Sequence, residues 1–302
     1  MRRDSQISLQ VEALVQIMNQ AHGLDISAYD ESFLLKSVAK RLSETGSKTM
    51  AAYGECLAGN RVEAEGLARS LRIGYSEFFR DPLAFALLEQ VVLPSLVAAR
   101  GTSHPTELRV WSAGCAAGQE AWSVAILLEE LNAKRERPVP FRVFATDTSE
   151  AELDVARHGA YDSAAVQNVR LKQCRKYFTV AGDSHQIAPA LAARVAFSIY
   201  DLLDERTASP ADSLYGDFDL ILCCNLLFYY RPDMRRRILD KLCGALSHGG
   251  YFVTGEAERA VLAEQAGLRA VAPSAAVFRK AEEIRFTTEA RKHGAEKAAQ
   301  ES

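Results

Sequence analysis

The sequence has little that could hold a metal or a disulfide framework. Its six cysteines (Cys56, Cys115, Cys174, Cys223, Cys224 and Cys243) form no Cys-x-x-Cys pair and have no histidines at matching spacing. No metal site is therefore expected, and the cysteines read as reduced thiols, several of them buried. No apolar run reaches the roughly 20 residues needed to span a bilayer. The N-terminal "MRRDSQISLQ" lacks the apolar core of a signal peptide. Membrane insertion is not expected, and the cytoplasm is the expected location. A field of one sign is missing too, because 36 basic and 39 acidic residues leave a net charge of −3. Nucleic acid is thus not an expected partner. There is no internal repeat, no low-complexity tract and no Ser-His-Asp constellation.

What is present is enough apolar material, 48% of 302 residues, to bury the core of one main domain with something attached. Residues 1–73 read as helices only. In "VEALVQIMNQAHG", Val11, Leu14, Ile17 and Met18 share a face that stops at Gly23, and "ESFLLKSVAKRLSETG" repeats the pattern up to Gly46. Two shorter helices, around "MAAYGECLAGN" and "RVEAEGLARSLR", complete a small bundle. Basic and acidic residues balance across it, with Lys36, Lys40 and Arg41 close together on one helix. The ordinary reading of such a run is a solvated face.

From about Leu108 the texture changes to alternating apolar strands and amphipathic helices, which predicts a parallel α/β sheet. The strands are "LRVWSAG", "FRVFATD", "VAFSIYDLL", "FDLILCCN" and "GGYFVTGE". Ser149 and Glu152 have capping-box spacing, which ends the second strand at Asp147. Residues 160–194 are irregular, with "KYFTVAGDSHQIAP" as a small hairpin, and 281–302 form a charged, alanine-rich tail expected to fray.

Open α/β sheets bind ligands at the carboxyl ends of their strands, where the chain order reverses. The first strand ends in "AGCAAGQE", where Gly114 and Gly118 permit a tight turn and close approach of backbone to ligand. Asp147 can accept the hydroxyls of a ribose, and Asp201 in "YDLL" the amino group of an adenine. Glu120, in the first turn of the next helix, would repel a pyrophosphate but attract an amino group and a sulfonium. These residues favour S-adenosylmethionine over a nicotinamide dinucleotide.

Just before the α/β block, "GYSEFFRDP" (Gly74 to Pro82) carries two phenylalanines, Arg80 and a helix start at Asp81-Pro82. With "RVWSAGCAAGQE", "FATDTS", "DLL", "FDLILCCNLLFYY" and "LSHGGYFVTGE", it falls in the order and approximate spacing of the chemotaxis receptor methyltransferase (CheR) family, which the chain resembles over roughly residues 10–280. The resemblance implies an α/β fold, a Rossmann-like class I methyltransferase domain (74–280, with a small β-subdomain near 160–194) behind an all-helical N-terminal domain (1–73). It implies S-adenosylmethionine-dependent methylation of glutamate side chains on the cytoplasmic helices of chemoreceptors, with S-adenosylhomocysteine as product. Carried over by position, it puts Arg80 and Tyr229 beside the transferring methyl group, and Ser76, Arg80, Gly114, Glu120, Asp147, Asp201, Leu202, Cys224 and Asn225 around the cofactor. Lys36, Lys40 and Arg41 become a candidate surface for an acidic receptor helix.

The chain departs from the family pattern at Gly74 (usually asparagine), at Gln119, Ala121 and Trp122 in "GQEAWS", at Cys224 (usually arginine) and at Ala257-Glu258. The segment "YFTVAGDSHQIAP" is a few residues shorter than in relatives that bind a receptor pentapeptide, so no dependence on such a tether is expected. These departures leave two other readings: a methyltransferase with a different acceptor, and a non-catalytic module that binds S-adenosylmethionine or S-adenosylhomocysteine and signals through its helices.

Overall fold

The computed structural model describes residues 2–99, 107–213 and 216–281; the tail reading for 282–302 lies outside them. Helix α1 (Arg2–His22) buries Val11, Leu14 and Met18 and ends where Gly23 turns left-handed at φ 67°. Asp30 caps α2 (Glu31–Thr45) by accepting the Ser32 amide at 3.0 Å. Asn60 lies between α3 (Met50–Gly59) and α4 (Arg61–Ser70), and its side chain accepts the Glu63 amide. Leu34, Val38, Tyr53, Leu57 and Leu67 join α1 in a separate small core.

Phe78, fully buried, ties the segment after α4 to the rest of the protein, with edge contacts to Tyr161 at 5.0 Å and Phe178 at 5.6 Å. Asp81 then caps a helix by accepting the Leu83 and Ala84 amides at 3.1 Å, with Pro82 at the first position where its missing N–H costs nothing. This helix, Pro82–Ala99, is the one among the described residues with the length and composition to cross a membrane. Its Leu88, Val92, Leu93, Leu96 and Val97 are buried in the core against the sheet.

Among the described residues ten strands follow, with helices between them: β1 (Leu108–Ala113), β2 (Phe141–Asp147), β3 (Ala160–Tyr161), β4 (Phe178–Ala181), β5 (Ser184–Ile187), β6 (Val195–Ile199), β7 (Phe218–Cys223), β8 (Leu246–Thr254), β9 (Leu268–Ala270) and β10 (Val277–Lys280). Seven form one sheet in the order β6-β2-β1-β7-β8-β10-β9. β6 through β8 run parallel, and β10 returns antiparallel between β8 and β9. Chain order reverses beside β1, which puts the switch point between β1 and β7. This is the α/β, Rossmann-like methyltransferase topology expected from the sequence, with one difference: β9 and β10 extend the sheet beyond the five strands visible there. The remaining three strands make a second small sheet, β3-β5-β4, whose β4-β5 hairpin closes through Gly182-Asp183.

Candidate active site

Four strand ends meet at the switch point. After β1, Gly114 turns left-handed (φ 77°) and Gly118 again (φ 89°). Glycine is required at 118, where a Cβ would stand 2.8 Å from that of Ala156 and 3.1 Å from the Phe197 ring. The helix Gln119–Asn132 starts there and places Glu120 in its first turn. At the end of β2, Asp147 accepts the Ala116 amide at 3.0 Å on one oxygen and the Ser149 amide at 2.9 Å on the other. Each oxygen keeps a lone pair for a ligand hydroxyl. β6 leads to Asp201 and Leu202, and β7 to Cys224 and Asn225.

Between these ends and the segments flanking them lies a cleft with two lobes that share Gly114. The first, about 610 Å³, is lined by Asp147, Leu202 and Tyr229 together with Tyr29, Gly74 and Glu152. The second, about 900 Å³, is lined by Ser76, Arg80, Glu120, Cys224 and Asn225. Most of the sequence-derived cofactor residues therefore converge. Asp201 lines neither lobe; one of its oxygens accepts the Leu203 amide at 2.8 Å. Lys36, Lys40 and Arg41 lie away from the cleft, on α2. Lys36 and Lys40 are exposed, but Arg41 is not part of their face. Its guanidinium turns to α4, binds Glu63 through two nitrogens and reaches Glu44 at 2.5 Å, while the Tyr53 hydroxyl donates to Glu63 at 2.7 Å. A helix advances 100° per residue, so position 41 points about 140° away from position 36.

The electrostatics of the second lobe centre on Glu120. Burial pushes its carboxyl above the usual range, against the lowering effects of the neighbouring Cys224 thiol, the hydrogen bond from the Ser112 hydroxyl (2.6 Å) and the attraction of Arg80. Burial, then Glu120 itself, pushes the Cys224 thiol well up, so it stays protonated, and its sulfur lies 3.9 Å from the Val253 carbonyl, to which it donates. Burial also raises the Tyr229 phenol, opposed by the nearby Arg80, which leaves a neutral donor at physiological pH. Arg80 is exposed, its guanidinium 5.1 Å from the Tyr75 ring and donating to the Tyr75 carbonyl at 3.3 Å.

Glu258 stands out in the sequence only as part of a departure, yet it organises the turn after β7. With 1% exposure, it accepts the amides of Asn225 (2.8 Å), Leu227 (2.6 Å), Gly255 (3.2 Å) and Phe228 (3.4 Å) and the Thr254 hydroxyl (2.9 Å). The sequence does not distinguish it from Glu256, the other acidic residue just past the apolar strand β8. The other departures are packed in. The Trp122 indole donates to the Tyr161 hydroxyl at 2.9 Å, which in turn donates to the Ala117 carbonyl at 2.6 Å, bracing the β1 loop. Gln119 is buried, and its side-chain oxygen has no hydrogen-bond partner.

The model of the CheR methyltransferase SAM-binding domain matches residues 75–274. The chain belongs to the CheR methyltransferase family. It is 28% identical over 244 residues to "Chemotaxis protein methyltransferase 1" of Pseudomonas aeruginosa, covering 78% of this chain and 85% of that one. Over 185 residues it is 32% identical to the protein of the same name from Vibrio cholerae, covering 60% and 63%. An uncharacterized 104.1 kDa protein of Rhodobacter capsulatus is 28% identical over 248 residues; these are 82% of this chain, which spans about a quarter of that much longer relative. The cofactor of this CheR protein is S-adenosylmethionine. The cleft suits it: carboxylates with free lone pairs at Asp147 and Glu120 match ribose hydroxyls and a cationic amino acid end. Neither lobe offers a glycine-rich cradle for a pyrophosphate.

Proposed function

We propose that this protein transfers the methyl group of S-adenosylmethionine to glutamate carboxylates on the cytoplasmic helices of chemoreceptors, working in the cytoplasm. The observation that supports the reading is that Arg80, lining the second lobe, lies near enough to the Tyr229 phenol, lining the first, to act on it electrostatically. When bound, the donor supplies a carbon on a sulfonium, already an activated leaving group, so that a carboxylate oxygen forms the C–O bond as the C–S bond breaks and a thioether leaves.

The acceptor is an anion at neutral pH and needs no general base. What remains for the protein is alignment and exclusion of water. Arg80 holds one carboxylate oxygen through a charge-assisted bond and Tyr229 donates to orient the group, leaving the second oxygen to attack. Alignment of this kind is worth up to ~7 to 11 kcal/mol in well-oriented reactions. Asp147 takes the ribose hydroxyls and Leu202 packs on the adenine, while Asp201, next to Leu202 but outside the lining of both lobes, would meet the adenine amino group only if its side chain turned toward the cleft. Glu120, with Ser76, Cys224 and Asn225 beside it, faces the amino acid end.

Lys36 and Lys40, exposed on α2, are the proposed contact for an acidic receptor helix. The β4-β5 hairpin turns in two residues, which supports the reading that this protein does not rely on a receptor pentapeptide tether.

The test is incubation with methyl-labelled S-adenosylmethionine and a chemoreceptor cytoplasmic fragment. Label on the fragment that mild base releases as methanol is expected. Label that survives base would point to another acceptor atom, and binding of S-adenosylhomocysteine with no transfer to any receptor fragment would overturn the receptor assignment.

A further inference from the structure

The loop before α2 is joined to the turn that carries Tyr229, although some 200 residues separate them in the sequence. The Asp30 amide donates to the Tyr229 carbonyl at 2.8 Å, and the Arg231 amide to the Ala28 carbonyl at 3.0 Å. Between these bonds Tyr29 and Tyr230 form an antiparallel bridge, their rings stacked at 5.3 Å and 13°. Arg235 fastens the same junction, donating to the Tyr230 carbonyl at 2.6 Å and reaching the Asp30 carboxylate at 3.5 Å. From the first turn of α2, the Phe33 ring lies 4.6 Å from that of Tyr229, tilted by 50°.

Tyr229 needs such support. It ends a three-residue 3-10 turn, Leu227–Tyr229, and is only half-buried. A phenol on so short a turn has several staggered rotamers open to it unless a neighbour blocks them. On one side it meets Phe228, ring to ring at 4.3 Å, from its own turn. Phe33 supplies the ring contact from another element, and it lines neither lobe of the cleft.

We infer that Phe33 is a positioning residue for the methyl transfer: with the Ala28–Asp30 segment it fixes the rotamer of Tyr229, so that the helical bundle completes the acceptor side of the site. The inference rests on the reading that Tyr229 orients the acceptor carboxylate. It gives the bundle a part in the chemical step, separate from any contact its outer surface makes with an acceptor.

The test compares Phe33→Ala with the wild type in the full chain. By calorimetry, S-adenosylhomocysteine should bind both with the same Kd within about twofold, since Phe33 does not touch the cleft. With a receptor cytoplasmic fragment as acceptor, kcat should fall about tenfold with little change in KM, the scale expected for releasing one aromatic contact. Phe33→Tyr should restore it. In a Tyr229→Phe background, Phe33→Ala should cost nothing more; an equal loss in both backgrounds, or an unchanged kcat, overturns the proposal. A spectroscopic reading needs no acceptor. With 3-fluorotyrosine incorporated, the fluorine resonance assigned to Tyr229 by its absence in Tyr229→Phe should move and narrow in Phe33→Ala. A resonance that stays put refutes the positioning role even where no receptor fragment is methylated.

Discussion

Replacing Glu258 by glutamine changes almost no volume, yet the structure makes it a severe substitution. One carboxylate oxygen accepts from Asn225, Gly255 and Thr254, the other from Leu227 and Phe228. A glutamine keeps one acceptor oxygen and presents an NH2 group in place of the other. If its oxygen faces Leu227, the NH2 meets the Asn225 and Gly255 amides; Thr254 escapes, because its hydroxyl can donate wholly to the Cys223 carbonyl at 2.9 Å. If the amide is flipped, the Leu227 and Phe228 amides are stranded instead. Either way one buried and one part-buried N–H group lose their partner, at up to ~1 to 3 kcal/mol each. The expected loss is therefore up to about 2 to 6 kcal/mol of folding stability, read as a lower urea midpoint with an unchanged m-value. Asn225 sits in the left-handed region and borders the second lobe, so S-adenosylhomocysteine should also bind more weakly. A Glu258→Gln variant within about 0.5 kcal/mol of wild type, the scatter of an ordinary surface change, would refute this account of the turn.

The cleft carries two further expected outcomes. Asp147→Ala should weaken S-adenosylhomocysteine by at least about a hundredfold in calorimetry, because two hydroxyl bonds to a charged acceptor are worth ~1.5 to 3 kcal/mol each; a Kd within threefold of wild type would dismiss Asp147 as the ribose acceptor. Glu120 carries a raised pKa, so acidification neutralises it earlier than an ordinary carboxyl, and the groups facing it are Arg80, Ser112, Cys224 and Glu258. Affinity for the cationic S-adenosylmethionine should accordingly fall as pH drops through that raised value and recover as pH rises. The dependence should flatten in Glu120→Gln, and an equal slope in the variant would exclude Glu120 as its source.

Much of this site is legible in the sequence because strand ends announce themselves. Apolar runs stop at Ala113, Asp147 and Cys223, and the glycines, serine cap or asparagine next in line give the chain the means to turn beside a ligand. Other features depend on contacts between distant parts of the chain. Glu258 acts on amides some 30 residues upstream, and Tyr29 reaches the cleft only because the bundle folds back onto the turn after β7. No periodicity encodes either. β9 and β10 escape a reading of the sequence for a simpler reason: three and four residues are too short to show alternation. Arg41 groups with Lys36 and Lys40 by proximity in sequence, whereas its angle on the helix sends it to Glu63.

Backbone strain links these observations. Among the described residues four non-glycine positions have left-handed φ: Phe79 (51°), Ala116 (46°), Asp217 (51°) and Asn225 (57°). Such conformations persist only where the surroundings enforce them, at of order 1 to 3 kcal/mol each. Asp217 precedes β7, away from the cleft lining. The other three border the cleft or adjoin it, and each has its own amide held by a side chain: Phe79 by the Ser123 hydroxyl at 3.1 Å, Ala116 by Asp147, and Asn225 by Glu258. Asp147 therefore holds the β1 loop through one lone pair and has another left for the proposed ribose contact. Ser123 likewise sets Phe79 next to Arg80, and Glu258 sets Asn225 at the head of the turn that ends in Tyr229. The three strained points shape the cleft with bonds made inside the protein, so its form does not have to be induced by the ligand. A site whose proposed chemistry is alignment of an acceptor has the most to gain from being shaped in advance.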